Sequence, residues 1–168
     1  MRVWEPLAVD VLIRSYQPSD EDAVVDLSVR AWEPVFTSME DLLGRELFLR
    51  LHGDWRQFQA RAVREAVNSS DITVWVSDAD GVTGFVATKV TDPERLIGEV
   101  WMLAVDPPWQ RQGIGLALTT FSTERLREAG MRVVMIDTGG DPGHAAARRV
   151  YEKAAYTLLP IARYWKAL

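Results

Sequence analysis

The chain has 168 residues, 48% hydrophobic and 26% charged, which suits one globular domain with material for a sizeable core. Its formal charge of −5 argues against a phosphate-backbone binder, and no nucleic-acid partner is expected. There is no cysteine, which excludes disulfides, thiolate metal sites and cysteine nucleophiles. His52 and His144 lie far apart without zinc-ligand spacing, so no metal is expected. No apolar run reaches the roughly 20 residues of a membrane span, and the opening MRVWEPLAVD has no signal-peptide core. The expectation is a cytoplasmic protein with no membrane partner. The acidic stretch Asp20, Glu21, Asp22 and Asp26 suits a solvated helix face better than a cation site.

Residues 9–16 alternate, with Val9, Val11 and Ile13 on one side, and read as a strand. Pro18 and Ser19 open a helix, Ser19 with Asp22 resembling a capping box, and Val24, Leu27 and Ala31 follow at helical spacing. Residues 38–67 read as one or two further helices, broken near His52-Gly53. Strands are expected at 72–77 and 82–90 around an Asp80-Gly81 turn, and at 97–106, stopped by Pro107-Pro108. A helix over 114–129 buries Ile114, Ala117, Leu118 and Phe121 and ends at Gly130. Strand 132–138, helix 144–155 and an extended stretch 157–166 complete a β-α-α-β-β-β-α-β-α-β order with strand 97–106 central. That order predicts a mixed α/β sheet.

The segment VDPPWQRQGIGLAL at 105–118 is a strand end, a proline stop and a glycine-containing turn into a helix. Such a helix start offers N–H groups without intrahelical partners and a partial positive charge. Gln112, Gly113, Ile114, Gly115 and Leu116 can aim N–H groups at a diphosphate, with Arg111 adding a side-chain contact. No third glycine completes a dinucleotide fingerprint, and no Gly-Lys-Ser/Thr completes a Walker loop.

Gln110-Arg111-Gln112-Gly113-Ile114-Gly115, preceded by Leu103-Ala104-Val105-Asp106-Pro107, resembles the Gln/Arg-x-x-Gly-x-Gly/Ala signature of the GNAT N-acetyltransferases. His144-Ala145-Ala146-Ala147-Arg148-Arg149-Val150-Tyr151-Glu152-Lys153 is similar to the family's Asn-x-x-Ala-x-x-x-Tyr-Glu-Lys helix. The likeness covers residues 70–160 or so. It implies an α/β GNAT fold: a mixed, mostly antiparallel central sheet, a parallel, splayed pair of fourth and fifth strands, and flanking helices. Arg111 stands where glycine is frequent, tolerable provided the backbone there needs no positive φ. His144 replaces the usual asparagine, Ala155 a helix-ending glycine and Tyr156 a phenylalanine.

The resemblance implies an acetyl-coenzyme A-dependent N-acetyltransferase that acts on a primary amine of a small molecule or peptide by direct transfer. A non-catalytic acyl-coenzyme A-binding sensor is the alternative, and a homodimer follows by analogy alone. In the family, the residue matching Tyr151 donates to the departing sulfur, and in some members a glutamate matching Glu99 deprotonates the amine, often through water. Glu99 lies in an apolar run, expected on one strand face with Trp101 and Leu103. Main-chain groups of Leu103, Ala104 and Val105 would bind the pantetheine, with an N–H near Leu103 polarising the carbonyl. The 110–116 turn would hold the pyrophosphate, while His144 and Ala147 flank the cofactor on the face that carries Tyr151. Trp32, Phe36 and Tyr164 are the expected acceptor-pocket residues.

Overall fold

The computed structural model describes residues 11–168. β1 (Leu12–Ser15) is followed by α1 (Glu21–Leu43), α2 (Arg45–His52) and α3 (Trp55–Val67). Then come β2 (Ile72–Asp78), β3 (Val82–Asp92), β4 (Ile97–Val105), α4 (Ile114–Glu128), β5 (Val133–Ile136) and α5 (Ala145–Lys153). The five strands lie in chain order in one sheet; β1 to β4 pair antiparallel and β4 to β5 parallel. β4 therefore has neighbours on both sides, as its apolar run requires, one place from the middle of the sheet. Together with its flanking helices this is the mixed GNAT-type architecture expected.

Helices cover both faces. Val24, Val25 and Leu27 of α1 and Val63 of α3 pack on Val74, Val76, Phe85, Ala87 and Ala104. On the other face Ile114, Leu118 and Leu126 of α4 pack on Val86, Val100 and Val105, with Val11 and Ile13 at the margin. Val9 of the expected first strand lies outside the described residues. Burying each of the Val, Leu, Ile and Phe side chains contributes about 1.5–3 kcal/mol, so the two clusters hold the sheet between its helices.

Three local expectations are corrected. Asp20 stands at the N-cap of α1 without capping it through its side chain, which instead fastens the turn before the helix in place of a Ser19–Asp22 box. Asp20 accepts from the Gln17 N–H at 2.8 Å and from two Arg14 nitrogens at 2.8 and 3.0 Å. The Arg14 bonds, aided by that amide, hold the Asp20 carboxyl below its ordinary range despite burial. α1 continues through Pro34 to Leu43, where a break near 38 was expected. Beside that proline Arg30 makes a bidentate pair with Asp106 at 2.9 and 2.8 Å, tying the helix to the end of β4. Finally, residues 157–166 form no strand. Pro160 withholds an N–H in the middle of that stretch, and Leu158, Leu159, Ile161 and Trp165 are exposed.

His52 ends α2 and is half-buried. Its ring lies 5.3, 5.0 and 5.6 Å from those of Phe36, Phe48 and Phe58, and both its nitrogens are buried without a partner. Burial pushes its pKa below the ordinary value. The unfolded chain then binds the proton more readily, so this contribution is complete above about pH 6.5 and is lost as pH falls through the lower folded value. Urea unfolding should show stability declining from pH 7 to 5. His52→Phe should flatten that slope and stabilise by roughly 1 kcal/mol at pH 7, having no orphaned nitrogens. An unchanged slope in the variant would discard this account of His52.

α5 ends in a Schellman turn. The Tyr156 N–H donates to Tyr151 O and the Ala155 N–H to Glu152 O, both at 3.0 Å, with Ala155 at φ 65°. This is where the sequence replaces a helix-ending glycine. Ala155→Gly should therefore raise stability by about 0.5–1 kcal/mol, the relief of left-handed strain less the added unfolded-state entropy. The corresponding rise in Tm is about 2 °C. Calorimetry showing a fall instead would mean the alanine methyl is not strained.

Candidate active site

The sheet opens where β4 meets β5. Their parallel pairing runs from Ile97 with Val133 to Val100 with Ile136 and goes no further. At that point β4 carries a bulge: Thr88 of β3 faces Val100, Ala87 faces Met102, and Trp101 is the extra residue. Beyond it Met102 to Val105 stay paired with β3 on one edge only. Leu103, Ala104 and Val105 thus present backbone at the mouth of a wedge between two diverging strands. The bulge also resets the alternation. Leu103 packs into the α4 cluster and Met102 into the opposite one, so Glu99 and Leu103 do not share a face as expected.

The turn after β4 leads into the first turn of α4. Ala117 is the first residue there whose N–H reaches a helical carbonyl, Gly113 O at 3.0 Å. The N–H groups of Ile114, Gly115 and Leu116 precede that bond and have no carbonyl of their own helix to meet. Gly113 caps the helix at φ 87° and Arg111 lies at φ 61°. The condition under which Arg111 was an innocuous replacement therefore fails: its backbone is left-handed, at a strain of about 1 kcal/mol. Gln110 donates its side-chain amide to Val105 O at 2.9 Å and Gln112 donates to Pro108 O at 3.2 Å. Both side chains brace the turn.

α5 closes the third side. A Cβ built on Gly115 would lie 3.8 Å from Val105 and 3.8 Å from Val150, the neighbour of Tyr151. The end of β4, the start of α4 and the tyrosine-bearing helix therefore converge at one glycine. Burial, with a smaller contribution from Tyr156, pushes the Tyr151 phenol up to about 12. No bond of its hydroxyl is found among the described residues, whereas the Tyr156 hydroxyl lies 2.6 Å from Thr123 Oγ1 on α4. The rings of Tyr151 and Tyr156 stand 6.3 Å apart. Tyr156, read in the sequence only as a phenylalanine substitute, uses its extra hydroxyl to fasten the end of α5 to α4.

Apart from His144, the loop before α5 is stitched by residues that the sequence did not single out. Arg148 donates to Gly139 O at 2.5 Å and Asp141 O at 2.8 Å; Asp141 accepts from the Gly143 N–H at 2.9 Å. Gly143 also donates to Ser38 Oγ at 3.1 Å and lies so close to α1 that a Cβ would meet Val35 and the Pro34 carbonyl. His144 turns Nδ1 onto the Asp141 carboxylate. Burial opposes ionisation of Asp141, but its bonds with His144, Ser38 and Gly143 outweigh it and hold the carboxyl below its ordinary range. With Nδ1 engaged, only Nε2 of His144 is left to meet a ligand. Ala147 lies between His144 and Tyr151, half-buried. The signal in the sequence was the Asp-Pro-Gly turn, whose aspartate commonly bonds backbone two residues on.

Glu99 is 5% exposed. It accepts from Thr91 Oγ1 at 2.9 Å and pairs with Lys89 Nζ at 3.5 Å. Of the expected acceptor residues, Trp32 packs half-buried on the first cluster. Phe36, 4% exposed, stacks on Trp55 at 4.7 Å. Tyr164 is 91% exposed.

A family model described as the acetyltransferase (GNAT) family matches residues 32–156. A mycothiol acetyltransferase of Amycolatopsis mediterranei is 33% identical over 171 residues, covering 91% of this chain and 48% of that protein. The chain thus spans about half the length of the curated relatives it matches. Among solved structures, an aminoglycoside acetyltransferase from an uncultured soil metagenomic sample, in complex with sisomicin, superposes with TM-score 0.62 at 18% identity, covering 94% of this chain and 96% of that one. The PaiA N-acetyltransferase of Thermoplasma acidophilum, in complex with coenzyme A, superposes with TM-score 0.62 at 15% identity, over 87% and 89%. No helix among the described residues is long and apolar enough to cross a membrane.

Proposed function

The chain belongs to the GNAT family of acetyltransferases, and from that membership we propose that it moves the acetyl group of acetyl-coenzyme A directly to a primary amine. The observation that carries the reading is the convergence at Gly115, which brings the one-edged end of β4, the N–H groups opening α4 and the Tyr151 helix within reach of one extended ligand. The N–H groups of 112–116 would hold the pyrophosphate, with the Arg111 guanidinium above them. Main-chain groups of Leu103, Ala104 and Val105 would take the pantetheine as an added strand, with His144 and Ala147 against it. The relatives' names, mycothiol and aminoglycoside acetyltransferases, support a small-molecule acceptor.

Each chemical requirement has a residue. A β4 N–H near Leu103 would polarise the thioester carbonyl. Glu99, held by Lys89 and Thr91, would accept the amine proton, directly or through water. Tyr151 would donate a hydrogen bond to the sulfur as the carbon–sulfur bond breaks. With the phenol near 12 and a thiol near 8.5, full proton transfer is uphill by about 3.5 units or about 5 kcal/mol, so the tyrosine stabilises the thiolate as a donor.

The test is thiol release from acetyl-coenzyme A with a panel of small amines, with products identified by mass spectrometry. Acetylated amine formed in step with thiol supports the proposal. Tight coenzyme A binding with no product from any amine would replace it by the sensor reading.

A further inference from the structure

Lys89 of β3 lies directly across from Glu99, and its ammonium sits 3.2 Å above the centre of the Trp101 ring while pairing with Glu99 Oε2 at 3.5 Å. An aromatic face beside a carboxylate is how proteins recognise an alkylammonium. Here the chain fills that box with its own side chain. The box stands at the bulge where β4 and β5 part. Beside it lies a cavity of about 430 Å³, lined by Asp71, Lys89, Val90 and Thr91. Thr91 donates to the same Glu99 oxygen, so the carboxylate is already compensated and hydrogen-bonded. Asp71, the carboxylate that lines the cavity, is exposed.

We propose that Lys89 sets acceptor specificity by occupying the cation position between Trp101 and Glu99, so that the site takes amines that arrive uncharged and disfavours polycationic ones. This rests on the acetyltransferase reading above and narrows its substrate class. A charged acceptor must displace Lys89 or lie within a few ångströms of it, and like charges at such distances discriminate by about tenfold to a hundredfold. An uncharged amine meets no such repulsion. An α-amine, with a pKa near 7.7–8.0, supplies that form far more readily than a lysine-like amine near 10.4. The favoured class is a weakly basic α-amine, as on an aminoacyl group.

The experiment is calorimetric binding of alaninamide and spermidine, with coenzyme A present, to the wild type, Lys89→Met, Lys89→Gln and Lys89→Arg. Lys89→Gln keeps a hydrogen-bond donor for buried Glu99, which guards against loss of fold in the methionine variant. Spermidine should bind at least about tenfold tighter to Lys89→Met and Lys89→Gln than to the wild type, with Lys89→Arg unchanged. Alaninamide should change by less than about threefold. Equal spermidine affinity in all four proteins, or a wild type that binds spermidine more tightly than alaninamide, overturns the proposal. Because binding is read without chemistry, an absence of acetyl transfer would count against the proposed activity and leave this result standing.

Discussion

Tyr151→Phe should lower kcat by about 10²–10⁴-fold, the range for losing a positioned donor at a reacting group, while the Kd for coenzyme A stays within about twofold. The split follows from the geometry. The ring packs beside Tyr156 in either protein, so the helix and its Schellman turn survive. What is removed is a hydroxyl with no partner found among the described residues. Its bond to sulfur would strengthen only as charge develops, which places the loss in kcat rather than in ground-state binding. The phenol, near 12 in the folded protein, stays protonated across the working range and should contribute no basic limb below about pH 10. Single-turnover kinetics with the amine in excess measures the effect. A variant retaining full kcat would remove Tyr151 from the reaction.

Gly115→Asp should weaken coenzyme A binding by about 100-fold or more without unfolding the protein, an outcome in which stability and affinity separate. A Cβ at this position meets Val105 and Val150 at ordinary van der Waals distance, and its φ is not left-handed. A carboxylate in the first turn of α4 is favourable to the helix by about 0.3–1 kcal/mol, since it satisfies the same N–H groups and positive end that a phosphate would use. That is why it should exclude the ligand: a fixed charge about 4 Å from a phosphate opposes binding by about 4 kcal/mol under partly buried screening. Calorimetry on the variant, paired with a thermal melt, reads both quantities. Unaltered affinity with an unaltered melt would mean the diphosphate lies elsewhere.

Much of this site was legible in the sequence because it is local. The turn from Val105 to Leu116 is a strand stop, two prolines and two glycines in one continuous stretch, and the structure gives it the helix start that the pattern requires. The Tyr151 helix follows the same logic. What escaped was non-local. The bulge at Trp101 arises from pairing with β3 and reverses the face of every residue after it, so alternation counted along β4 alone could not place Leu103. The Lys89–Glu99 pair depends on the register of two strands, and the Asp141–His144–Arg148 stitching on a loop folding back on itself. Arg111 and Ala155 show a different limit. Both were recognised as replacements for glycine, but only the backbone angles of 61° and 65° reveal that the left-handed conformation is kept without it. Residues 157–166, expected as a last strand, pair with no edge of the sheet among the described residues, and Pro160 withholds an N–H in their middle.

The central claim is that one extended ligand lies across Gly115, its diphosphate on the α4 amides and its sulfur at Tyr151. A crystal structure grown with coenzyme A tests this most directly. It should show phosphate oxygens within hydrogen-bond distance of the main-chain nitrogens of 112–116, and the sulfur within about 3.5 Å of the Tyr151 hydroxyl, allowing for the larger radius of sulfur. Phosphates bound away from that turn, or a sulfur directed away from α5, would contradict it.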